Sequence, residues 1–222
     1  MDAVILCGGQ GTRIRHLLPE GCPKAMVDVN ETPFIDILIR HLWGSGFEKL
    51  ILVGGYGWRT LEDHLTKEYL GKENSEKILL YIEHRPRGTA GAIEYAKGNL
   101  SQTFFIINGD TYCNLNYGAM LAYHEAVNSV ITVACDRELR HVGTFVASRR
   151  FVDLIPKADA EVDMAEVFTL LSQKHELVGW FMTDAKYWDI GTPENLKAFR
   201  NYWAQLLKGG EGHVVGNIKD PV

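Results

Sequence analysis

The residues of this chain best suited to chemistry lie near its beginning. Gly8, Gly9 and Gly11 come close together, Thr12 follows, then Arg13 and Arg15, and Lys24 stands after Pro23. Glycine permits positive φ and close backbone approach, so such a loop can aim N–H groups at an anion. Arg13, Arg15 and Lys24 add positive charge. The chemistry that fits is the binding of a polyphosphate. For a lone Gly-Gly, an ordinary strand-to-helix turn with surface arginines is the simpler account; the whole stretch from Ala3 to Met26 outweighs it. Two familiar phosphate loops are excluded. The dinucleotide fingerprint wants a third glycine where Ile14 stands, and no Gly-Lys-Ser/Thr run of a P-loop exists.

The elements that must position this loop follow from pattern. Ala3 to Cys7 is a short apolar run that breaks into glycines, which reads as a buried strand. Further strands are expected at Leu50–Val53, Ile78–Ile82, Phe104–Ile107 and Val130–Ala134. Helices are expected over Pro33–Trp43, with Thr32 as cap, and over Trp58–Leu70, Ala90–Lys97 and Leu115–Ala126. Such alternation predicts an α/β fold: a three-layer, mainly parallel twisted sheet with helices on both faces. Ligands of such sheets bind beyond the carboxyl ends of the strands. The glycine loop and Asn108-Gly109-Asp110 both fall there. Farther on, strands are expected at Gly143–Ser148, Leu177–Met182 and Lys186–Trp188. Helices are expected at Arg149–Leu154, at Met164–Ser172 with Asp163 as cap, and from Thr192-Pro193 onward.

Composition bounds the rest. The chain has 222 residues, 46% hydrophobic and 23% charged, with a formal net charge of −5. These values suit a globular protein and argue against nucleic acid or an anionic membrane as the main partner. No apolar run approaches the roughly 20 residues that span a bilayer, and no secretion signal is evident. The four cysteines are scattered, without the close Cys/His pairs of a zinc site. A reduced, cytoplasmic setting is the default. One domain over 1–208 and a poorly ordered, glycine-rich tail over 209–222 are expected.

Gly8-Gly9-Gln10-Gly11-Thr12-Arg13-Ile14-Arg15 with Pro23-Lys24-Ala25-Met26 resembles the signature of the sugar-1-phosphate nucleotidyltransferases, the NDP-sugar pyrophosphorylases. Two later segments extend the resemblance. Arg85-Pro86-Arg87-Gly88-Thr89-Ala90-Gly91 is similar to the segment that lies against base and ribose in that family. Asp110 and the late Asp189-Ile190-Gly191-Thr192-Pro193 are similar to its two metal-holding aspartates. The resemblance implies a Rossmann-like fold and transfer of a nucleotidyl group from a nucleoside triphosphate to a sugar 1-phosphate, with release of pyrophosphate. Its implied cofactor is Mg2+, held by Asp110 and Asp189. Arg13, Lys24 and Asp110 are the implied catalytic residues. Leu6, Gly8, Gly9, Gly11, Thr12, Arg13, Gly88, Thr89 and Asn108 are the implied nucleotide contacts. Gly88 lets backbone approach the base, and Thr89 is expected to cap the helix that follows. Arg87 replaces the usual apolar residue; contact with phosphate and simple solvation are both open, with solvation preferred. A sugar phosphate is already an anion, so no general base is needed, and His16 and His84 are read as polar surface positions.

The chain departs from the family between the fifth strand and the final helix. It is shorter there, and no Glu-Lys pair for the sugar phosphate stands in that stretch. Gly143-Thr144 is similar in outline to one sugar-side segment, and the stretch from Gly143 to Arg149 is equally similar to the strand that follows the missing pair; the first alignment implies Gly143 as a sugar contact. Arg137, Arg140 or His141 could replace the lost cation. The chain looks most like mannose- or heptose-1-phosphate guanylyltransferases. Two alternatives stay open: a weakly catalytic nucleotide- or nucleotide-sugar-binding homologue with a regulatory role, and a transferase for a non-sugar phosphate such as phosphocholine. Assembly into a homo-oligomer is also left open.

Overall fold

The apolar run that opens the chain forms β1 (Asp2–Cys7), with Ala3, Val4 and Ile5 fully shielded from solvent. Shielding on both faces is what a central parallel strand requires. In this computed structural model, which describes residues 1–71, 75–157 and 160–208, β1 lies mid-sheet. Next come β2 (Asp28–Val29), β3 (Thr32–Pro33), α1 (Phe34–Gly44), β4 (Lys49–Gly54), α2 (Trp58–Glu68), β5 (Ile78–Ile82) and α3 (Gly88–Tyr95). They are followed by β6 (Thr103–Asn108), β7 (Thr111–Cys113), α4 (Tyr117–Val127), β8 (Ile131–Cys135) and β9 (His141–Ser148). Then come α5 (Arg149–Leu154), α6 (Met164–Gln173), β10 (Val178–Met182), β11 (Tyr187–Asp189) and α7 (Pro193–Lys208).

Seven strands form one sheet in the order β10-β8-β9-β6-β1-β4-β5. β1 runs parallel to β4 and β6, β4 to β5, and β8 to β10. β9 runs antiparallel between β6 and β8. The sheet is therefore α/β and mainly parallel, as the alternation predicts. Successive side chains of a strand point to opposite faces, so β1 feeds two cores. Ala3, Ile5 and Cys7 pack with buried residues of α1, α2, α4 and α7; Val4 packs on the other face with those of α3, α5 and α6. Phe34, Phe105 and Phe199 in the first core and Phe104 and Phe151 in the second are at most 1% exposed. Each such side chain contributes about 1.5–3 kcal/mol by leaving water.

The register sets up the site. Cys7 pairs with Gly54, Gly54 with Ile82, and Leu6 with Asn108. The carboxyl ends of β1, β4, β5 and β6 thus share one edge, and the loops after them converge. β1 has β4 on one side and β6 on the other, which is the topological switch where crevices open.

Several local expectations are corrected. Thr32 and Pro33 do not cap and start a helix. They form β3, opposite Val29 and Asp28, and α1 begins at Phe34 with Pro33 as a cap lacking a side-chain bond. β7 falls in a stretch for which the sequence pattern predicts no element, and α4 starts at Tyr117 rather than Leu115. The reading of Thr192 as cap of α7 agrees with a hydrogen bond from Asn195 N to Thr192 Oγ1 at 3.2 Å. The tail over 209–222 lies outside the described residues.

Candidate active site

A cleft of about 650 Å³ opens along that edge. Leu6, Gly8, Gly9, Lys24, Gly88, Thr89, Asn108 and Asp110 line it. Its floor is tightly built. The N–H of Gly109 donates to Leu6 O at 3.0 Å, and that of Tyr56 to Gly8 O at 3.2 Å. A Cβ on Gly8 would stand 2.8 Å from Glu83 Oε2, so a side chain there would displace the carboxylate.

The charged groups fall into two sets. At one end, Lys24 Nζ forms an ion pair with Asp110 Oδ2. Both side chains are largely shielded, at 15% and 21% exposure, which strengthens the pair over a surface one. Gly11 lies directly over Lys24: a Cβ there would meet Lys24 Cβ at 3.0 Å. The glycine loop and the lysine therefore form one packed unit.

Asp189 reaches Asp110 through the backbone. β11 pairs antiparallel with β7, setting Asp189 opposite Thr111, and Ile190 N–H donates to Asp110 O at 2.9 Å. The Asp189 carboxylate accepts the Gly191 N–H at 2.7 Å. Arg13 comes to the same place. The position a Cβ would take on Gly191 is 2.8 Å from Arg13 Nη2 and 2.7 Å from Asp189 Oδ1. Arg13, Lys24, Asp110 and Asp189 are thus assembled, although Arg13 and Asp189 stand beside the cleft rather than in its lining. Two carboxylates on adjoining strand ends are hard oxygen donors that suit Mg2+, which takes one or two carboxylates and leaves its other positions to phosphate and water.

Other expected residues sit apart. Thr12 is exposed and starts a short 3-10 turn. Gly143 has φ +74° on β9, and a Cβ there would meet Thr111 Cβ at 2.9 Å; its missing side chain is explained by that packing. Arg137 is paired with Asp184 at 2.6 Å, and Arg140 with Asp136 at 2.8 Å and Glu138 at 2.9 Å. Neither arginine lines the cleft.

The opposite end holds Glu83, Tyr56 and Trp58, which no sequence motif singles out, and His84, which is exposed as expected and also lines the cleft. Glu83 follows β5, its N–H held by Gly54 O at 2.7 Å. Its Oε1 is buried and finds no hydrogen-bond donor among the described residues. Burial pushes the carboxyl up to about 7; Arg87 pulls it down and Glu161 adds to the rise. Tyr56 and Trp58 also line this end, with His84, which stands edge-on to Trp58 at 5.8 Å. The signal was available: applying the strand-end rule to β4 and β5, as to β1 and β6, selects these residues.

The wall over Gly88 corrects two helix caps and one side chain. Thr89 does not cap α3, which begins at Gly88. Its Oγ1 accepts the Met164 N–H at 3.0 Å, while its own N–H donates to Asp163 Oδ1 at 3.4 Å. Asp163 occupies the cap position of α6 but turns its carboxylate to Thr89. Arg87 is not simply solvated: it is half-buried, with its guanidinium 4.2 Å from the centre of the Tyr95 ring.

All four cysteines are free and buried. Burial holds Cys7 and Cys113 at about 12, so neither supplies a thiolate near neutrality. No helix among the described residues is long and apolar enough to cross a membrane.

Known proteins bear on this arrangement. The chain is 33% identical over 116 residues to the D-glycero-alpha-D-manno-heptose 1-phosphate guanylyltransferase of Campylobacter jejuni, covering 52% of this chain and 50% of that protein. It is 28% identical over 241 residues to the mannose-1-phosphate guanylyltransferase of Mycobacterium tuberculosis, covering 94% of this chain and 65% of that protein. The chain thus spans about half to two thirds of the length of these relatives. The crystal structure of HddC from Yersinia pseudotuberculosis aligns with a TM-score of 0.75 at 26% identity, covering 91% of this chain and 99% of that one. The same protein complexed with GMP-PN aligns with a TM-score of 0.74. A model of the family described as nucleotidyl transferase matches residues 2–141. That match runs from β1 to the start of β9, takes in the glycine loop, Lys24, Glu83 and Asp110, and exceeds half of the chain, so the chain belongs to the nucleotidyl transferase family.

Proposed function

We propose that this protein is a Mg2+-dependent sugar-1-phosphate nucleotidyltransferase, of the type that forms GDP-mannose or a GDP-heptose. The observation that carries this reading is that the pairing of β7 with β11 brings the Asp189 segment, with Arg13 against it, beside the Lys24–Asp110 ion pair of the glycine-loop cleft. In the reaction a phosphate oxygen of the acceptor attacks the α-phosphorus. A new P–O bond forms, the bond to the β-phosphate oxygen breaks, and pyrophosphate leaves with its electrons. The task is to hold two polyanions close and in line. The N–H groups of Gly8, Gly9 and Gly11 would bind phosphate oxygens. Lys24 would neutralise the α-phosphate and the incoming phosphate. Arg13 would stabilise the departing pyrophosphate through its guanidinium. Asp110 and Asp189 would hold the Mg2+, which supplies charge neutralisation at phosphate oxygens. The guanylyltransferase relatives and the GMP-PN complex of HddC support guanine as the base.

The acceptor is the open half of this proposal. Arg137 and Arg140 are engaged with acidic neighbours, so neither stands ready as a sugar-phosphate cation. That favours keeping a non-sugar phosphate as the second reading. A pyrophosphate-release assay with Mg2+, crossing GTP, ATP, CTP, UTP and dTTP with mannose, heptose and glucose 1-phosphates and phosphocholine, tests both. Turnover is expected with GTP and a sugar 1-phosphate. Turnover with phosphocholine alone selects the second reading. Nucleotide binding without turnover on any pair would leave a binding homologue and sink the enzyme assignment.

A further inference from the structure

We infer that the rear of the cleft wall is a second anion site, a phosphoryl-binding pocket built on Arg85, Arg87 and Lys157, whose filling weakens triphosphate binding in the cleft. The pocket stands apart from nucleotidyl transfer; its effect on the cleft rests on the nucleotidyltransferase reading.

A second cavity, of about 250 Å³, lies against that wall. Arg85, Arg87 and Lys157 line it, and Glu94 is the one carboxylate among the lining residues. Glu94 is already paired with Lys97, so the balance facing the cavity is positive. Arg87 supplies an unmet group. Its guanidinium lies 4.2 Å from the centre of the Tyr95 ring, and its Nε is buried with no acceptor among the described residues. Stacking uses the face of a guanidinium and leaves its in-plane N–H donors for oxygen. A buried donor without an acceptor is costly, and a ligand that supplies one relieves that cost. The first amides of α3 are spent elsewhere: Ala90 and Gly91 donate to Val162 O at 2.9 and 3.1 Å. Recognition therefore falls to the side chains.

Three cations around one small cavity suit an anion with several oxygens on a single centre. A phosphoryl group presents three terminal oxygens and matches the fork of arginine. A carboxylate has two oxygens and one charge, which leaves a cation unanswered. The same wall explains the coupling. Arg85, Pro86 and Arg87 line both cavities. Val162 lines the second, while its neighbours Glu161 and Asp163 line the cleft. Burial raises the Glu83 carboxyl and Arg87 pulls it back, so the charge of Arg87 is felt inside the cleft. An anion behind the wall draws on arginines that also face a triphosphate, and it sets a like charge close to that ligand. The two ligands therefore oppose each other without occupying the same space.

The test uses the full chain with Mg2+ and no acceptor. Ionic strength is held constant with potassium chloride, because added salt alone screens charge. Affinity is measured for the triphosphate that binds tightest among GTP, ATP, CTP and UTP, at rising inorganic phosphate and, separately, at rising glycerol phosphate. A separate site makes the apparent Kd rise and then level off, at about 5-fold or more above its starting value. A rise without limit places the anion in the cleft and overturns the inference, as does no change. A plateau reached at lower glycerol phosphate than inorganic phosphate identifies an esterified ligand; the reverse identifies free phosphate. Lys157 is exposed and outside the cleft lining. Without phosphate, Lys157→Glu should bind triphosphate within about twofold of the wild type, and with phosphate its plateau should vanish. Glu94→Gln removes the one carboxylate, so half-saturation should come at lower phosphate. An unchanged plateau in Lys157→Glu overturns the inference. If no triphosphate binds, the nucleotidyltransferase reading falls, and the pocket is read by calorimetric titration of phosphate alone. Loss of that binding in Lys157→Glu supports the pocket, and binding unchanged by the substitution overturns it.

Discussion

Gly88 and Gly21 have the same backbone dihedral, φ +72°, in very different surroundings. A Cβ on Gly21 would meet nothing within 4 Å. A Cβ on Gly88 would lie 2.5 Å from Val162 O and 2.7 Å from Val162 C and N, all backbone atoms. Gly21→Ala should therefore cost only the left-handed penalty of an L-residue, about 1–2 kcal/mol. Gly88→Ala incurs the same penalty and must also drive the Val162 strap away. That strap is held by three backbone bonds: Ala90 N and Gly91 N to Val162 O at 2.9 and 3.1 Å, and Val162 N to Arg87 O at 2.8 Å. At about 0.5–1.5 kcal/mol each, their loss brings Gly88→Ala to about 3–6 kcal/mol. For a chain of this size each kcal/mol lowers Tm by about 2–4 °C. Thermal unfolding should thus fall by about 2–8 °C for Gly21→Ala and about 6–24 °C for Gly88→Ala. Glu161 and Asp163 flank Val162 and line the cleft, so Gly88→Ala should also weaken triphosphate binding while Gly21→Ala leaves it near wild type. Equal losses of stability in the two variants would refute the idea that Val162 clamps the cleft wall onto Gly88.

Asp110→Asn should lower Mg2+-dependent pyrophosphate release by at least about 100-fold, the scale of removing a charge-stabilising group, with its circular dichroism spectrum unchanged; a near wild-type rate would disprove the metal assignment. Stability should depend on pH with a definite sign at Glu83. Burial raises its carboxyl to about 7, so between the ordinary carboxylate range and that value the folded chain holds a proton that the unfolded chain has released, and stability should fall as pH rises through this window. Chemical unfolding across it should show a flatter profile for Glu83→Gln than for the wild type. Phe199→Ala, at a fully buried position set edge-on to Phe34 and tilted against Tyr112 at 5.4 Å each, should cost about 3–5 kcal/mol in chemical unfolding.

What the sequence makes legible is what depends on local pattern. β1, β4, β5, β6 and β8 are apolar runs bounded by glycine or polar residues, and each appears within a residue or two of its expected place. Thr192 caps α7 as expected because that motif is complete within four residues. The failures share a cause, which is distance along the chain. Thr89 has the composition of a helix cap, yet its hydroxyl answers Met164, 75 positions away. Asp163 has the same appearance, and its carboxylate answers Thr89, 74 positions away. Arg87 looks solvated because the ring beneath it, Tyr95, lies two turns on along α3. Glu83 looks like an ordinary charged residue after a strand, and its partial burial emerges once Gly8 is seen against it.

The pairing of β7 with β11 shows why the late aspartate could be named but not placed. Each strand has three residues; Lys186–Trp188 reads as a strand from the sequence, but β7 is too short for any periodicity to show its partner. Their stability comes from aromatic packing instead. Trp188 of β11 stacks on Tyr202 of α7 at 3.9 Å, and Tyr112 of β7 lies 5.4 Å from Phe199 of the same helix. The stripe on α7 is therefore more than core filling. It presses the ribbon against the sheet edge, and the ribbon brings the Asp189 segment to Asp110. Lys24 balances Asp110 through their ion pair. A triphosphate that draws Lys24 to its own oxygens would leave Asp110 and Asp189 as adjoining anions, a condition that favours a divalent cation. Nucleotide and Mg2+ should accordingly bind with positive coupling, and that coupling should vanish when Asp110 is made neutral.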